Sequence, residues 1–196
     1  MNVRAALAAG AAAIAALLLS SRKALALTAP PRALVYPTTR QRDEWFGPIR
    51  FEPAPTAGNA EGIRITNDFE ARNIVRKTFP LIGYAAIHRL AAPSLEAALR
   101  DIERAGLGSK LKSFAGGYYP RFVRNSQTNL SSHSYGTSID INAGENPQGS
   151  PPSADQAMLA PYFERHGWFW ADRFKNSPRD PMHFEYVLPP GGKAAA

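Results

Sequence analysis

The sequence predicts an α+β domain in which helices flank a small antiparallel sheet. Segments with a helical spacing of apolar residues and short segments of alternating polarity both occur, without the regular order of βαβ units. The chain has 196 residues, 44% of them hydrophobic, which suits one domain with a sizeable core. It contains no Cys, so disulfide scaffolds, thiolate metal sites and cysteine nucleophiles are excluded.

Residues 1–26 have the pattern of a secretory signal peptide. Arg4 precedes an Ala-rich apolar run over residues 5–19, and a small-residue motif follows at 24–26. The run is short for a membrane span, which needs about 20 apolar residues. Arg22 and Lys23 lie between the run and the motif, so an N-terminal segment retained as a membrane anchor is the alternative to cleavage. Both alternatives predict export to the periplasm or cell envelope.

A Pro-rich segment over residues 27–60 separates this leader from the domain. Six prolines between Pro30 and Pro55 argue against a long helix or a central strand, so we expect a linker or an extended arm. The folded domain is predicted over residues 61–188, and residues 189–196 are expected to form a flexible tail.

The first half of the domain is predicted to contain a strand, a short helix and one clearer, longer helix. Residues 62–66 alternate weakly and predict a strand, and a short helix is expected from Asn67 or Asp68 to Lys77. The clearest helix covers residues 94–105, with Ser94 as its N-cap. Its apolar residues share one face: Leu95, Ala98, Leu99 and Ile102.

The second half is predicted to supply most of the sheet. Ser153 and Gln156 form a capping box for a helix that Pro161 interrupts or restarts. Strands are expected over residues 111–115, 138–143, 169–171 and 183–187. The strand over 138–143 places apolar side chains on one face and Ser138, Asp140 and Asn142 on the other.

Two of the four His belong to paired motifs at the edges of these strands. If the strands over 138–143 and 183–187 are neighbours, His133, Asp140 and His183 converge. Two imidazoles and one carboxylate form a three-ligand zinc site with an open fourth position, which is typical of catalytic zinc. Asp180, three residues before His183, would then act as general base toward the metal-bound water during attack on a carbonyl.

Other polar and aromatic residues allow more than one interpretation. His88 has no partner at ligand spacing and is expected to be packed or to face solvent, and His166 follows a helix whose C-terminus favours a cation. Glu185 shares a strand face with His183, so it either orients a ligand or lies at a solvated position. Tyr118 and Tyr119 either line a substrate groove or pack in the domain.

The net charge of +7 is compatible with an anionic partner but does not identify one. The cations are spread along the chain among acidic residues, and three of them lie in the leader. Nucleic-acid binding predicts a clustered basic stripe with interleaved aromatic residues, so we expect no nucleic-acid partner.

The motif Ser131-x-His133-x-x-Gly136-x-x-x-Asp140, followed by Asp180-x-x-His183-Phe184-Glu185, resembles that of the M15 zinc peptidases. These enzymes include D-alanyl-D-alanine carboxypeptidases and L-alanyl-D-glutamate endopeptidases, and the VanY-like carboxypeptidases are the most similar branch. The resemblance extends over residues 82–186. It implies a Hedgehog/DD-peptidase-like zinc peptidase domain with one zinc ion.

The resemblance also implies a role for each motif residue. It assigns the zinc ligands to His133, Asp140 and His183 and the catalytic carboxylate to Asp180. The oxyanion-stabilising arginine corresponds to Arg121, with Arg124 as the alternative. Candidate substrate-binding residues are Ser131, Tyr119 and Arg124. Two positions depart from the usual pattern: Ser138 stands where the family has Ala, and Asp180 is one methylene shorter than the Glu of several branches.

The predicted function is therefore zinc-dependent hydrolysis of the peptidoglycan stem peptide by a monomeric enzyme, with removal of a terminal D-alanine as the expected reaction. An endopeptidase of the same family is one alternative. A zinc-binding or peptidoglycan-binding module without catalysis is the other.

Overall fold

The computed structural model describes residues 34–175 and 177–192, so the predicted leader and the end of the predicted tail lie outside the described residues. The elements in chain order are α1 Thr39–Phe46, β1 Phe51–Pro53, β2 Ile63–Ile65, α2 Phe69–Asn73, β3 Ile74–Phe79, β4 Gly83–His88, α3 Ala92–Arg104, β5 Phe114–Gly116, β6 Ser138–Ile141, α4 Ala154–Arg165, β7 Trp168–Trp170 and β8 His183–Tyr186. Short 3₁₀ turns lie at Gly108–Lys110, Ser132–Tyr135 and Ala171–Arg173. The predicted mixture of helices and small antiparallel sheets is confirmed. Within these ranges, no helix has the length and hydropathy needed to cross a membrane.

The central element is a four-stranded antiparallel sheet with the strand order β5-β6-β8-β7. Ile139 of β6 pairs with Phe184 of β8, and both side chains are fully buried. Phe163 of α4 packs on Phe184 with ring centroids 4.6 Å apart, so this face of the sheet belongs to the core. Since side chains alternate along a strand, Asp140 and His183 lie on the opposite face.

Two hairpins precede this sheet, and the second corrects a predicted helix. The helix expected to reach Lys77 ends at Asn73, and residues Ile74–Phe79 form strand β3, paired with β4. The β-branched side chains of Ile74, Val75 and Thr78 favour a strand once a pairing partner is available. Burial of Ile74 and Phe79 outweighs the local helical signal.

Helix α3 begins two residues earlier than its sequence predicts. Its N-cap is Ala91, so the prediction that Ser94 caps the helix is wrong. The Ser94 hydroxyl instead donates to the His166 carbonyl oxygen and accepts a hydrogen bond from Trp168 Nε1 at 3.0 Å. Ser94 therefore connects α3 to the turn before β7.

In helix α4 the predicted N-cap Ser153 is confirmed, but the predicted interruption at Pro161 is absent. The Ser153 hydroxyl accepts from Gln156 N, whereas the Gln156 side chain donates to the Pro181 carbonyl oxygen rather than closing a capping box. The helix runs through Pro161 without interruption. Pro161 leaves the carbonyl of Ala157 without a helical donor, but Ala157 is exposed, so water can satisfy it.

The segment predicted to be a linker or an extended arm instead contains helix α1 and strand β1. Thr38 caps the helix with a complete capping box to Gln41. Pro37 and Pro48 lie outside the helix and so do not break it. Phe46 at the end of α1 is buried in edge-to-face contact with His88, which fixes this helix to the domain.

Candidate metal centre

Three candidate ligands meet on the polar face of the central sheet. His133 lies on the 3₁₀ turn Ser132–Tyr135, and the antiparallel register sets Asp140 of β6 directly opposite His183 of β8. His183 Nδ1 is 2.9 Å from Asp140 Oδ1, and His133 Nε2 is 3.4 Å from Asp140 Oδ2. One ligand atom from each residue lies within 4.8 Å of the others. The convergence predicted from neighbouring strands is therefore present.

The His133 ring is oriented so that one nitrogen remains available to a metal ion. Its Nδ1 is 3.0 Å from the Gly117 carbonyl oxygen, which can only accept, so Nδ1 carries the proton. Nε2 is buried and has no hydrogen-bond partner among the described residues. A metal-binding imidazole typically donates its other N–H to a backbone carbonyl in this way. The donor set therefore fits a divalent metal ion.

Gly116, the last residue of β5, makes room for this imidazole, and Gly117 follows it in the chain. Gly116 and Gly117 have φ values of +100° and +97°, which disfavour other residues. A Cβ atom on Gly116 would lie 2.8 Å from His133 Cε1. A Gly-Gly pair at the end of a strand is the sequence signal for this close approach. Gly136, with φ +68°, forms the tight turn between His133 and β6.

The three ligand candidates are electrostatically coupled. Burial alone would raise the pKa of Asp140, but the neighbouring imidazoles of His133 and His183 hold it well below its usual range. Burial opposes the charged form of His183, yet the neighbouring Asp140 carboxylate raises the pKa of this imidazole. Asp140 is therefore an anion between two imidazoles, which is a typical donor set for a catalytic zinc ion with an open coordination position.

Asp180 lies beside the ligands in the segment that leads into β8. Its carbonyl oxygen accepts from His183 N at 3.1 Å, and its carboxylate oxygen Oδ1 is buried without a hydrogen-bond partner in the described chain. Burial raises the pKa of Asp180, with a smaller contribution from the Asp140 charge. A carboxylate with a raised pKa and a free oxygen is suited to accept a proton.

An open cleft of about 320 Å³ gives access to the site. Its walls include Gly116, Tyr118, Tyr119, Arg121, His133 and Asp140. Arg121 is half-buried, and burial lowers its pKa while the Asp140 charge opposes this change. Arg124 is exposed and is not among these wall residues. Arg121 is therefore the better placed of the two arginines to meet a group bound in the cleft.

The two other candidate substrate-binding residues occupy different environments. Ser131 is buried, and its hydroxyl accepts from His133 N at 3.3 Å, so it caps the turn that carries the ligand. Tyr119 is 47% exposed at the cleft, and its backbone N–H donates to the His133 carbonyl oxygen. Both residues thus support the backbone of His133, while only Tyr119 offers a largely exposed side chain.

Glu185 has a partner that the sequence did not reveal. The alternative of a solvated position is wrong, because Glu185 is 0% exposed. Both of its carboxylate oxygens accept from Arg42 of α1, at 2.6 Å from Nε and 3.1 Å from Nη2. Glu185 makes no hydrogen bond to the three ligand candidates in the described chain, but its charge contributes to the raised pKa of His183.

The remaining His residues lie outside the site. His88 is fully buried, its Nδ1 accepts from Leu90 N, and its Nε2 lies 3.0 Å from the Phe46 carbonyl oxygen. Burial lowers the pKa of His88 to about 4, which agrees with the predicted packed role. His166 follows α4 and pairs with Asp101 of α3 at 2.7 Å.

Replacing Ser138 with alanine is expected to stabilise the domain. The Ser138 hydroxyl is fully buried and has no hydrogen-bond partner among the described residues. Removing it should raise the free energy of unfolding by about 1 kcal/mol, measured by denaturant titration. Ser134→Ala is the matched control, since the equally buried Ser134 hydroxyl donates to the Arg121 carbonyl and accepts from Arg121 N. The control should be destabilised, and equal effects of the two changes would contradict the argument.

Residues 124–186 of the chain match the family model described as D-alanyl-D-alanine carboxypeptidase. The matched segment contains His133, Asp140, Asp180 and His183, and the match confirms the resemblance that their spacing indicates. Tyr119 and Arg121 precede the matched segment. No curated protein and no solved structure is significantly similar to the chain.

Proposed function

We propose that this chain, a peptidase of the M15 family, is a zinc-dependent hydrolase of the peptidoglycan stem peptide that removes the terminal D-alanine. One observation carries the proposal. His133, Asp140 and His183 converge at an open cleft, with the unpartnered buried carboxylate oxygen of Asp180 in the adjoining segment. A module that only binds zinc or peptidoglycan has no need to bury an unpaired proton acceptor next to its ligands.

Three residues are proposed to hold one zinc ion, His133 through Nε2 together with Asp140 and His183. When bound, zinc supplies a Lewis acid that polarises the scissile carbonyl and makes water more acidic. The protein prepares this site in advance, because the Gly117 carbonyl fixes the His133 tautomer and the β6–β8 register fixes Asp140 against His183.

The proton transfers are assigned to Asp180. Its carboxylate takes a proton from the attacking water and returns it to the leaving amine, so the same group acts first as base and then as acid. Because the pKa of Asp180 is raised, its protonated and deprotonated forms differ less in free energy at neutral pH, which suits a group that first accepts and then donates a proton. Arg121 is proposed to bind the oxyanion from the cleft wall, while Arg124, Tyr119 and Ser131 remain candidates for substrate contact.

The proposal includes export to the periplasm or cell envelope as a monomer, with the leader over residues 1–26 either removed or kept as an anchor. It also includes a Hedgehog/DD-peptidase-like arrangement of the domain, which the small antiparallel sheets and flanking helices allow. The family match and the open cleft beside the ligand candidates support this choice of substrate.

Digestion of muropeptides by the purified protein tests the function, and metal removal tests its zinc dependence. Products should lose one terminal alanine, as measured by mass spectrometry. Treatment with a chelator should abolish the reaction, and added zinc should restore it. Cleavage between L-alanine and D-glutamate would favour the endopeptidase alternative. Zinc binding without any cleavage would contradict an enzymatic role.

A further inference from the structure

We propose that the outer edge of strand β5 binds the substrate backbone as an added strand, so that the enzyme recognises an extended peptide and not only its terminal dipeptide. The inference rests on the proposed function. It adds a substrate-binding subsite that is formed by backbone N–H and C=O groups of β5. It follows from the hydrogen-bond pattern of β5, its place in the sheet and its contact with the metal centre.

The hydrogen-bond pattern shows which backbone groups of β5 point outward. Asn142 N donates to the Ser113 carbonyl oxygen at 3.0 Å, so Ser113 faces β6. Ile141, which is opposite Phe114, donates its N–H to the Met182 carbonyl on the other side. Bonded and non-bonded pairs alternate in an antiparallel ladder. The N–H and C=O of Phe114 and the N–H of Gly116 therefore point away from β6.

No other strand covers this edge among the described residues. β5 is the terminal strand of the sheet, and Ala115 and Gly116 are exposed. Phe114 and Gly116 make no backbone hydrogen bond on their outer side within residues 34–175 and 177–192. Proteins usually protect bare strand edges, because such edges readily pair with another chain. A bare edge beside a cleft is thus suited to accept an extended peptide.

The edge runs directly into the metal centre. Ala115 pairs with Asp140, and Gly116 lines the cleft close to the His133 ring. A peptide paired with β5 would therefore pass beside two ligand candidates. Ala115 has a small side chain and Gly116 has none, so side chains of either chirality in a stem peptide meet little obstruction here. Backbone hydrogen bonds then position the chain without reading its side chains.

The first test uses the wild-type protein and substrates of different length. A stem pentapeptide is compared with versions in which each amide upstream of the scissile bond is N-methylated in turn. Methylation of an amide that pairs with β5 should lower kcat/KM about tenfold, the effect of losing one well-formed hydrogen bond. D-alanyl-D-alanine itself, whose only amide is the scissile one, should be a poorer substrate than the pentapeptide.

The second test changes the edge itself. Phe114→Pro removes one outward N–H while keeping the hydrogen bonds to β6, and Phe114→Ala is the matched control that loses the side chain but keeps the N–H. Pentapeptide kcat/KM should be about tenfold lower for Phe114→Pro than for Phe114→Ala, with equal hydrolysis of D-alanyl-D-alanine by the two variants. If the proline variant does not fold, the methylation series decides the question.

The outcomes separate this proposal from the proposed function. A pentapeptide that is cleaved equally well with every upstream amide methylated overturns the β5 subsite and leaves the peptidase intact. A wild-type protein that cleaves neither pentapeptide nor dipeptide in the presence of zinc contradicts the proposed function and the subsite together.

Discussion

Asp180→Ala is expected to lower the kcat for stem-peptide hydrolysis by about 10²–10⁴-fold while zinc stays bound, because the variant loses its proton acceptor but none of its metal ligands. The effect should be this large because the Asp180 oxygen Oδ1 is buried without a hydrogen-bond partner in the described chain, whereas Asp140 is committed to both imidazoles and Glu185 to Arg42. Activity and zinc content of the same preparation check the prediction.

The controls for Asp180 separate chemistry from folding. Asp180→Glu keeps a carboxylate and should retain measurable turnover. His183→Ala should lose zinc as well as activity, which is the behaviour of a ligand. If Asp180→Ala keeps full activity, Asp180 is not the general base. If it loses zinc to the same extent as His183→Ala, then its role is to bind the metal ion.

The metal centre could be predicted from sequence because its ligands belong to two short motifs whose spacing is local. His133 and Asp140 are joined by one turn and one strand, and Asp180 and His183 lie within the same short segment. The adjacency of β6 and β8 is an assumption at the level of sequence, and the register of the sheet confirms it. The spacing of residues that are close in the sequence therefore predicts well which of their side chains meet.

The parts that could not be predicted depend on contacts between residues far apart in the chain. Arg42 and Glu185 are 143 residues apart, and nothing in either local sequence indicates that they pair. Prolines flanking residues 38–47 masked helix α1, although they lie outside it. The role of Ser94 cannot be predicted for the same reason, since its partners His166 and Trp168 come from the other half of the domain.

Arg42→Ala is expected to lower the free energy of unfolding by about 3–5 kcal/mol, because it leaves the Glu185 carboxylate buried without its counter-ion. Arg42 is 5% exposed and donates two hydrogen bonds to Glu185. Denaturant titration of the variant against wild type measures the change. A surface pair on the same helix gives the matched control: Arg40 and Glu44 are bonded at 2.9 Å with side chains 88% and 54% exposed.

Arg40→Ala should change the unfolding free energy by only about 0.5 kcal/mol, since solvent screens an exposed pair. The double variant Arg42→Met, Glu185→Leu tests the cause. It should recover much of the stability lost in Arg42→Ala, because no buried charge remains. If Arg42→Ala unfolds at the same denaturant concentration as Arg40→Ala, the buried pair does not stabilise the domain. If the double variant is stable but binds zinc less tightly, the charge of Glu185 acts on the metal centre through His183.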